Sequence, residues 1–293
     1  MLEVKLILCP IDFSEFSVRA FRHAVSLADH YRARLVALHI VELWQHPAAS
    51  FAVSAELYDQ YFHVLRERAR LELGEFVKKY AHDHVQPELV VDVGSAPDSI
   101  LSYAETHQAD VIVMGTHGRR GYDRLMLGSA TDRVMRRAPC PVLAVYRPPL
   151  DAADAGDERY DHYLRRILFC ADFSPNSTRA LDQALSVAEE YDAELTLVHV
   201  LEQGPSPART EEAIAEATVR LDKLIPPERR NLKIKTAVRI GKPYQRIIEL
   251  ATEAQNDLVI MGVRGHGALD LAVFGSTTYR VIQLGPCPVL VYA

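Results

Sequence analysis

Two stretches of this sequence have the residue types and spacing to hold an anion. Gly115-Thr116-His117-Gly118 is followed, after nine residues, by Gly128-Ser129, and Gly262-Val263-Arg264-Gly265 is followed, after nine residues, by Gly275-Ser276. Each begins where an apolar run ends, Ala109-Asp110-Val111-Ile112-Val113-Met114 in one case and Leu258-Val259-Ile260-Met261 in the other. Such runs read as buried parallel strands. Each stretch ends where a helix can start. A glycine-rich loop between a strand and a helix N-terminus leaves backbone N–H groups without partners, and these take phosphate well. Glycine lets the backbone come close, and Ser129 and Thr131 add hydroxyls. A lone loop of this kind is weak, because glycine also ends strands for structural reasons; its recurrence makes it strong.

The elements that position these loops recur with them. Asp12-Phe13-Ser14 returns as Asp172-Phe173-Ser174, and His39 as His199, at an offset of 160. Gly94, Gly115, Gly128 and Cys140-Pro141-Val142-Leu143 return at an offset of 147, as Gly241, Gly262, Gly275 and Cys287-Pro288-Val289-Leu290. The second copy is thus 13 residues shorter in its middle. A period near 150 residues is too long for a solenoid and means two domains. Each copy alternates strands and helices, with a first strand over 4–9, a helix after Ser14 or Ser17, a second strand over 33–40 and a long amphipathic helix from about 55 to 81. A third strand covers 88–93, and the fifth covers 141–146. This pattern means an α/β fold with a parallel sheet covered on both faces. Ligands of such sheets sit beyond the carboxyl ends of the strands, where strand order reverses. Asp12 and the Gly115–Ser129 loop can therefore meet on one ligand, and Asp172 and the Gly262–Ser276 loop on another.

Composition narrows the partners. Charged residues make up 25% and apolar ones 48% of the 293 residues, as in a soluble globular protein. A net charge of −6 argues against general nucleic-acid binding. No apolar run approaches the roughly 20 residues that span a bilayer, and the first residues lack a signal peptide's pattern, so a cytoplasmic protein is expected. The four cysteines follow the repeat, Cys9 with Cys170 and Cys140 with Cys287, and read as buried thiols. On that matching, Cys9-Pro10-Ile11-Asp12 shortens by one residue to Cys170-Ala171-Asp172, which shifts the second aspartate. The Pro-rich, then acidic, stretch 147–158 is a linker composition.

These residues together resemble the universal stress protein family. Its ATP-binding pattern, Gly, two residues, Gly, nine residues, then Gly-Ser or Gly-Thr, is matched by both halves. The Asp-Phe-Ser after the first strand and the Cys-Pro-Val-Leu last strand also match. The resemblance implies two doubly wound, Rossmann-like domains at 1–147 and 164–293 around a linker at 148–163. Each would hold a five-stranded parallel sheet in the order 3-2-1-4-5, and the two would pair through their last strands as an internal pseudo-dimer. It further implies that Asp12 holds adenosine, with Ile11 and the backbone near Ile40 at the adenine, and that Gly115, Gly118, Gly128, Ser129 and Thr131 take ribose and phosphates. In the second half Asp172, Val200, Gly262, Gly265, Gly275, Ser276 and Thr278 would do the same. The cofactor is then ATP, ADP or AMP.

Neither loop has the lysine of a P-loop. Phosphate charge must be met by the helix terminus, by a divalent metal such as Mg or Mn, or by Arg119, Arg120, Arg124 or Arg264. His117 and His266 lie in the loops but do not align, and an exposed loop histidine is the simpler reading of each. His82-Asp83-His84 reads as a polar helix end, and His39 and His199 as core histidines with satisfied rings. Tyr61 and Phe62 read as core or interface. Three functions compete: a nucleotide-binding regulator of the stress response, a slow ATPase or ATP-dependent activating enzyme, and a nucleotide-free scaffold. Trp44 and the long helix offer contacts for a homodimer.

Overall fold

The computed structural model describes residues 3–42, 55–82, 84–116, 127–145, 164–202, 207–262 and 275–292, without the side chains of 55–59, 176 and 207–209. The linker, Trp44, Asp83, His117, Gly118, Arg119, Arg120, Arg124, Arg264, Gly265 and His266 lie outside them. The chain divides into two compact units, one built mainly from Val4–Val142 and the other mainly from Tyr163–Ala293.

The first unit opens with β1 (Leu6–Ile11), α1 (Glu15–Tyr31) and β2 (Arg34–Glu42). The helix α2 (Ala55–Tyr80), β3 (Glu88–Gly94), α3 (Ala96–Thr106), β4 (Val111–Gly115), α4 (Ser129–Arg137) and β5 (Val142–Val145) follow. The sheet runs β3-β2-β1-β4. β5 lies beside β4, where the Ile112 N–H donates to the Pro141 carbonyl at 3.0 Å. The recorded pairs of β1 with β2 and β4, and of β2 with β3, are parallel. Between β1 and β4 the order reverses, so their carboxyl ends form the switch point where ligands bind.

The second unit repeats this with β6 (Arg166–Cys170), α5 (Pro175–Glu190), β7 (Glu194–Leu201), α6 (Pro207–Leu224), β8 (Ile234–Ile240), α7 (Pro243–Glu253), β9 (Leu258–Gly262), α8 (Ser276–Leu284) and β10 (Val289–Tyr292). Its order is β10-β9-β6-β7-β8, again parallel. The missing 13 residues fall in the middle as expected: 45 residues separate β2 from β3, and 32 separate β7 from β8.

The register overturns one expectation. Ile7 pairs with Leu35 and Ile167 with Leu195, and His39 and His199 each reach a carbonyl 28 residues back. The offset of 160 therefore holds along the whole first strand. Cys9 corresponds to Phe169, and Cys170 corresponds to Pro10. Nothing is deleted, and Asp172 is not shifted. What changes is a proline. Pro10 has no N–H to give a neighbouring strand. The β1–β4 ladder is recorded only at Ile7 and Leu8, whereas β6–β9 continues from Ile167 to Cys170.

The apolar runs form the core, with Ile7, Leu8, Ile112, Ile167 and Leu168 fully buried. Cys9, Cys170 and Cys287 are buried free thiols, while Cys140 is only half-buried. Burial pushes all four up from the ordinary value of 9.0, Cys140 and Cys287 to about 12. The thiolate is the reactive form, so the folded protein is expected to resist iodoacetamide at pH 8 while the urea-unfolded chain reacts at all four cysteines. Below pH 9 both states keep the thiol protons. As pH rises from about 9 to about 12, only the unfolded chain releases them, and stability falls.

Candidate functional site

At the end of β1 the chain makes the same turn in both halves. Phe13 and Phe173 take left-handed φ values of 64° and 61°. This is costly for a residue with a side chain, and neighbouring contacts hold it. Asp12 Oδ1 accepts the Ser14 N–H at 3.0 Å and the Ser14 hydroxyl at 2.6 Å. Asp172 Oδ1 accepts the Ser174 N–H at 3.0 Å. Ser14 and Ser174 in turn cap α1 and α5, each accepting an N–H three residues on, from Ser17 and Ser177. Of the two capping candidates, Ser14 is the cap; the Ser17 hydroxyl donates to the Ser14 carbonyl. Both aspartates therefore build the turn, in addition to any ligand they meet.

The aromatic residue of the turn lies against a histidine. The Phe13 ring is 4.6 Å from His39, and Phe173 is 4.4 Å from His199. Nδ1 of His39 donates to the Ile11 carbonyl at 2.7 Å, and Nδ1 of His199 to the Ala171 carbonyl at the same distance. Each ring thus has one satisfied nitrogen, as expected, though both histidines are half-buried and not in the core. They tie the end of the first strand to the second strand, where Ile40 is buried and Val200 half-buried.

β1 and β4 pair at Ile7↔Val111 and Leu8↔Ile112, so their carboxyl ends run side by side toward Ile11 and Gly115. Gly115 ends β4, and a Cβ there would lie 2.8 Å from the backbone carbon of Phe16. The glycine is thus demanded by the first turn of α1. The loop that follows is closed at its neck, where the Gly128 N–H donates to the Thr116 carbonyl at 2.8 Å. Gly128 is also the N-cap of α4, and Gly275 of α8, and neither has a side-chain cap. The first intrahelical bonds come from Asp132 and Tyr279, which donate to the carbonyls of Gly128 and Gly275. In helix geometry the N–H groups of 129–131 and 276–278 have no intrahelical acceptor. Ser129 and Ser276 are exposed beside them.

Thr131 and Thr278 do something the sequence did not show. Both are buried, and each donates its hydroxyl to the carbonyl at the strand end, Thr131 to Gly115 at 2.9 Å and Thr278 to Gly262 at 3.2 Å. Their hydroxyls anchor helix to strand. Their N–H groups remain directed along the helix start. The arrangement in each half is a glycine-started helix with no side-chain cap and a turn-building carboxylate, both at the carboxyl ends of the strands that flank the switch point. Among the described residues no group of three His, Cys, Asp or Glu could hold a metal ion. Among them too, no helix is long and apolar enough to cross a membrane.

Comparison with known proteins identifies the family of this fold. The sequence model of the Universal stress protein family matches the chain twice, over residues 3–146 and 164–293. Universal stress protein MJ0531 of Methanocaldococcus jannaschii is 34% identical over 147 residues, covering 49% of this chain and 83% of that protein. Universal stress protein A homolog 1 of Coxiella burnetii is 31% identical over 140 residues, covering 44% of this chain and 95% of that protein. Among solved structures, a universal stress protein from Archaeoglobus fulgidus DSM 4304 matches 99% of each chain with a TM-score of 0.67 at 20% identity, a likeness of fold. The chain belongs to the universal stress protein family and carries that family's domain twice.

Proposed function

We propose that each half binds an adenine nucleotide, ATP, ADP or AMP, and that the protein acts as a nucleotide-dependent regulator in the stress response. The observation that supports this most is the uncapped glycine start of α4 and α8. Three N–H groups there have no acceptor within their own helix, and the same switch point carries a turn built by Asp12 or Asp172. In this reading Gly128, Ser129 and the Thr131 N–H hold phosphate, and Ile11, Asp12 and Ile40 surround the nucleoside. Gly275, Ser276, the Thr278 N–H, Asp172 and Val200 do so in the second half. Gly118 and Gly265, in the loops, complete each cradle. A Mg or Mn ion would be held through the phosphates. Thr131 and Thr278 act through their backbone, since their hydroxyls are engaged.

The same reading places the domains at 1–147 and 164–293 in a cytoplasmic protein. It also pairs the last strands, because an apolar edge strand needs a cover. The test is mass spectrometry of ligand released from protein purified without added nucleotide, followed by thermal unfolding with ATP, ADP or AMP. A ligand at 100 times its dissociation constant stabilises by about 2.7 kcal/mol, so a clear rise in melting temperature is expected. Protein that releases no adenine nucleotide and melts unchanged with all three would remove the proposal.

A further inference from the structure

The outer face of α2 carries an apolar stripe that the fold leaves uncovered. Phe62, Ala69, Leu73 and Phe76 bury the inner face of this helix. Val64 and Leu71 stand on the opposite side, 66% and 74% exposed. They are two of the four large apolar residues exposed among the described residues, and they are seven positions apart. A spacing of seven is close to two turns, so both lie on one line along the helix. In the sequence Leu57 continues the spacing toward the helix start. Single exposed apolar side chains need no explanation, but a line of them at heptad spacing is a seam by which helices pair. The matching helix of the second half has no such line. In α6, Val219 is exposed, but the positions seven away are Glu212 and Pro226.

Exposed charges flank the stripe in a pattern that selects its partner. At about 100° per residue, Glu67 and Lys78 fall on one side of it and Arg68 and Glu75 on the other; all four are exposed. Two copies of such a helix can pair antiparallel or parallel about a two-fold axis. In an antiparallel pair each flank meets itself. With Val64 opposite Leu71, this sets Glu67 against Glu67 and Arg68 against Arg68. In a parallel pair each flank meets the other one. Val64 then meets Val64, Leu71 meets Leu71, Glu67 faces Arg68 of the second copy, and Glu75 faces Lys78 of the second copy less than a turn away. We propose that the outer face of α2 is a homodimer interface, where two copies of this chain pair in parallel through Val64 and Leu71. The Glu67–Arg68 and Glu75–Lys78 pairs set the direction. Such a surface is its own complement and closes at two copies. Exposed ion pairs add little affinity and act on direction and register. The contact is small, so the dimer is weak and its share grows with protein concentration. It does not rest on the nucleotide reading.

The test is sedimentation of the full chain over a range of concentrations, joined to cysteine cross-linking. Dimer is expected to increase with concentration. Leu71→Glu should weaken it by about tenfold or more, since a carboxylate would be set against its own copy. The variant should melt like the parent, because the side chain is exposed. Glu67→Arg should weaken the dimer similarly, by facing Arg68 with a like charge, and adding Arg68→Glu should restore it. On oxidation, Val64→Cys and Leu71→Cys should each cross-link to the same position of a second copy, and Val219→Cys in α6 should not. A chain that is monomeric at every concentration would overturn the proposal. So would a dimer left unchanged by Leu71→Glu, or cross-linking at Val219→Cys as fast as at Leu71→Cys. Cross-links that form only between a Val64→Cys chain and a Leu71→Cys chain would mark the antiparallel pair, and overturn it as well.

Discussion

Replacing Gly115 with alanine is expected to cost the first half about 1–3 kcal/mol of stability, the usual range for overpacking, and to weaken nucleotide binding there. The added Cβ would come within 2.8 Å of both the carbonyl carbon and the Cβ of Phe16, and 2.9 Å from the Phe16 oxygen. Backbone atoms cannot swing aside as a flexible side chain can. The first turn of α1 must shift, and with it the Asp12–Ser14 turn that precedes it. Gly74 in α2 is the control. A Cβ there meets only Leu89 Cδ1, at 3.7 Å, so Gly74→Ala should stabilise the helix by about 0.5–1 kcal/mol. Urea denaturation of both variants, with nucleotide titration of the first, separates two roles for Gly115. If Gly115→Ala keeps full stability and loses only ligand, the glycine serves the phosphate and the packing account is wrong.

Phe21→Ala should have the largest effect on stability, about 3–5 kcal/mol. Phe21 is fully buried in α1, and its ring meets the Phe76 ring edge-on at 5.3 Å. Phe76 lies in turn 5.7 Å from Phe13 and 4.9 Å from Tyr80. Removing the Phe21 ring opens a cavity between α1 and α2 and releases support for the left-handed turn at Phe13. The second half shows a milder alternative. At the offset of 160 its counterpart is Leu181, also buried, and its turn residue Phe173 is covered by the Arg220 guanidinium at 3.9 Å. Phe21→Leu should therefore cost much less than Phe21→Ala. Equal losses for the two, measured by chemical denaturation, would mean that the site collapses around any smaller side chain.

Much of the architecture was legible because its signals are local. Buried strands announce themselves as apolar runs, and β5, at Val142–Val145, falls within the expected 141–146. The glycine loops and their offset of 147 located both helix starts, since a glycine N-cap before a serine is a feature of neighbouring residues. The error at Cys9 and Cys170 came from matching like residues without the strand register. Pro10 and Cys170 share a place because their partners across the sheet, Leu38 and Val198, share one.

From its sequence alone the chain could be recognised as two copies of one family's α/β domain, with a glycine-rich strand-to-helix turn in each, because composition, periodicity and spacing are properties of short segments. Only the tertiary structure decided what individual atoms do. It assigned the hydroxyls of Thr131 and Thr278 to strand-end carbonyls, Gly115 to the approach of Phe16, and the turn to Asp12 and Asp172. It also set Asp92 beside Ile40 and Arg239 beside Val200. These assignments depend on contacts between residues distant in the chain, and such contacts exist only once the strands have taken their register.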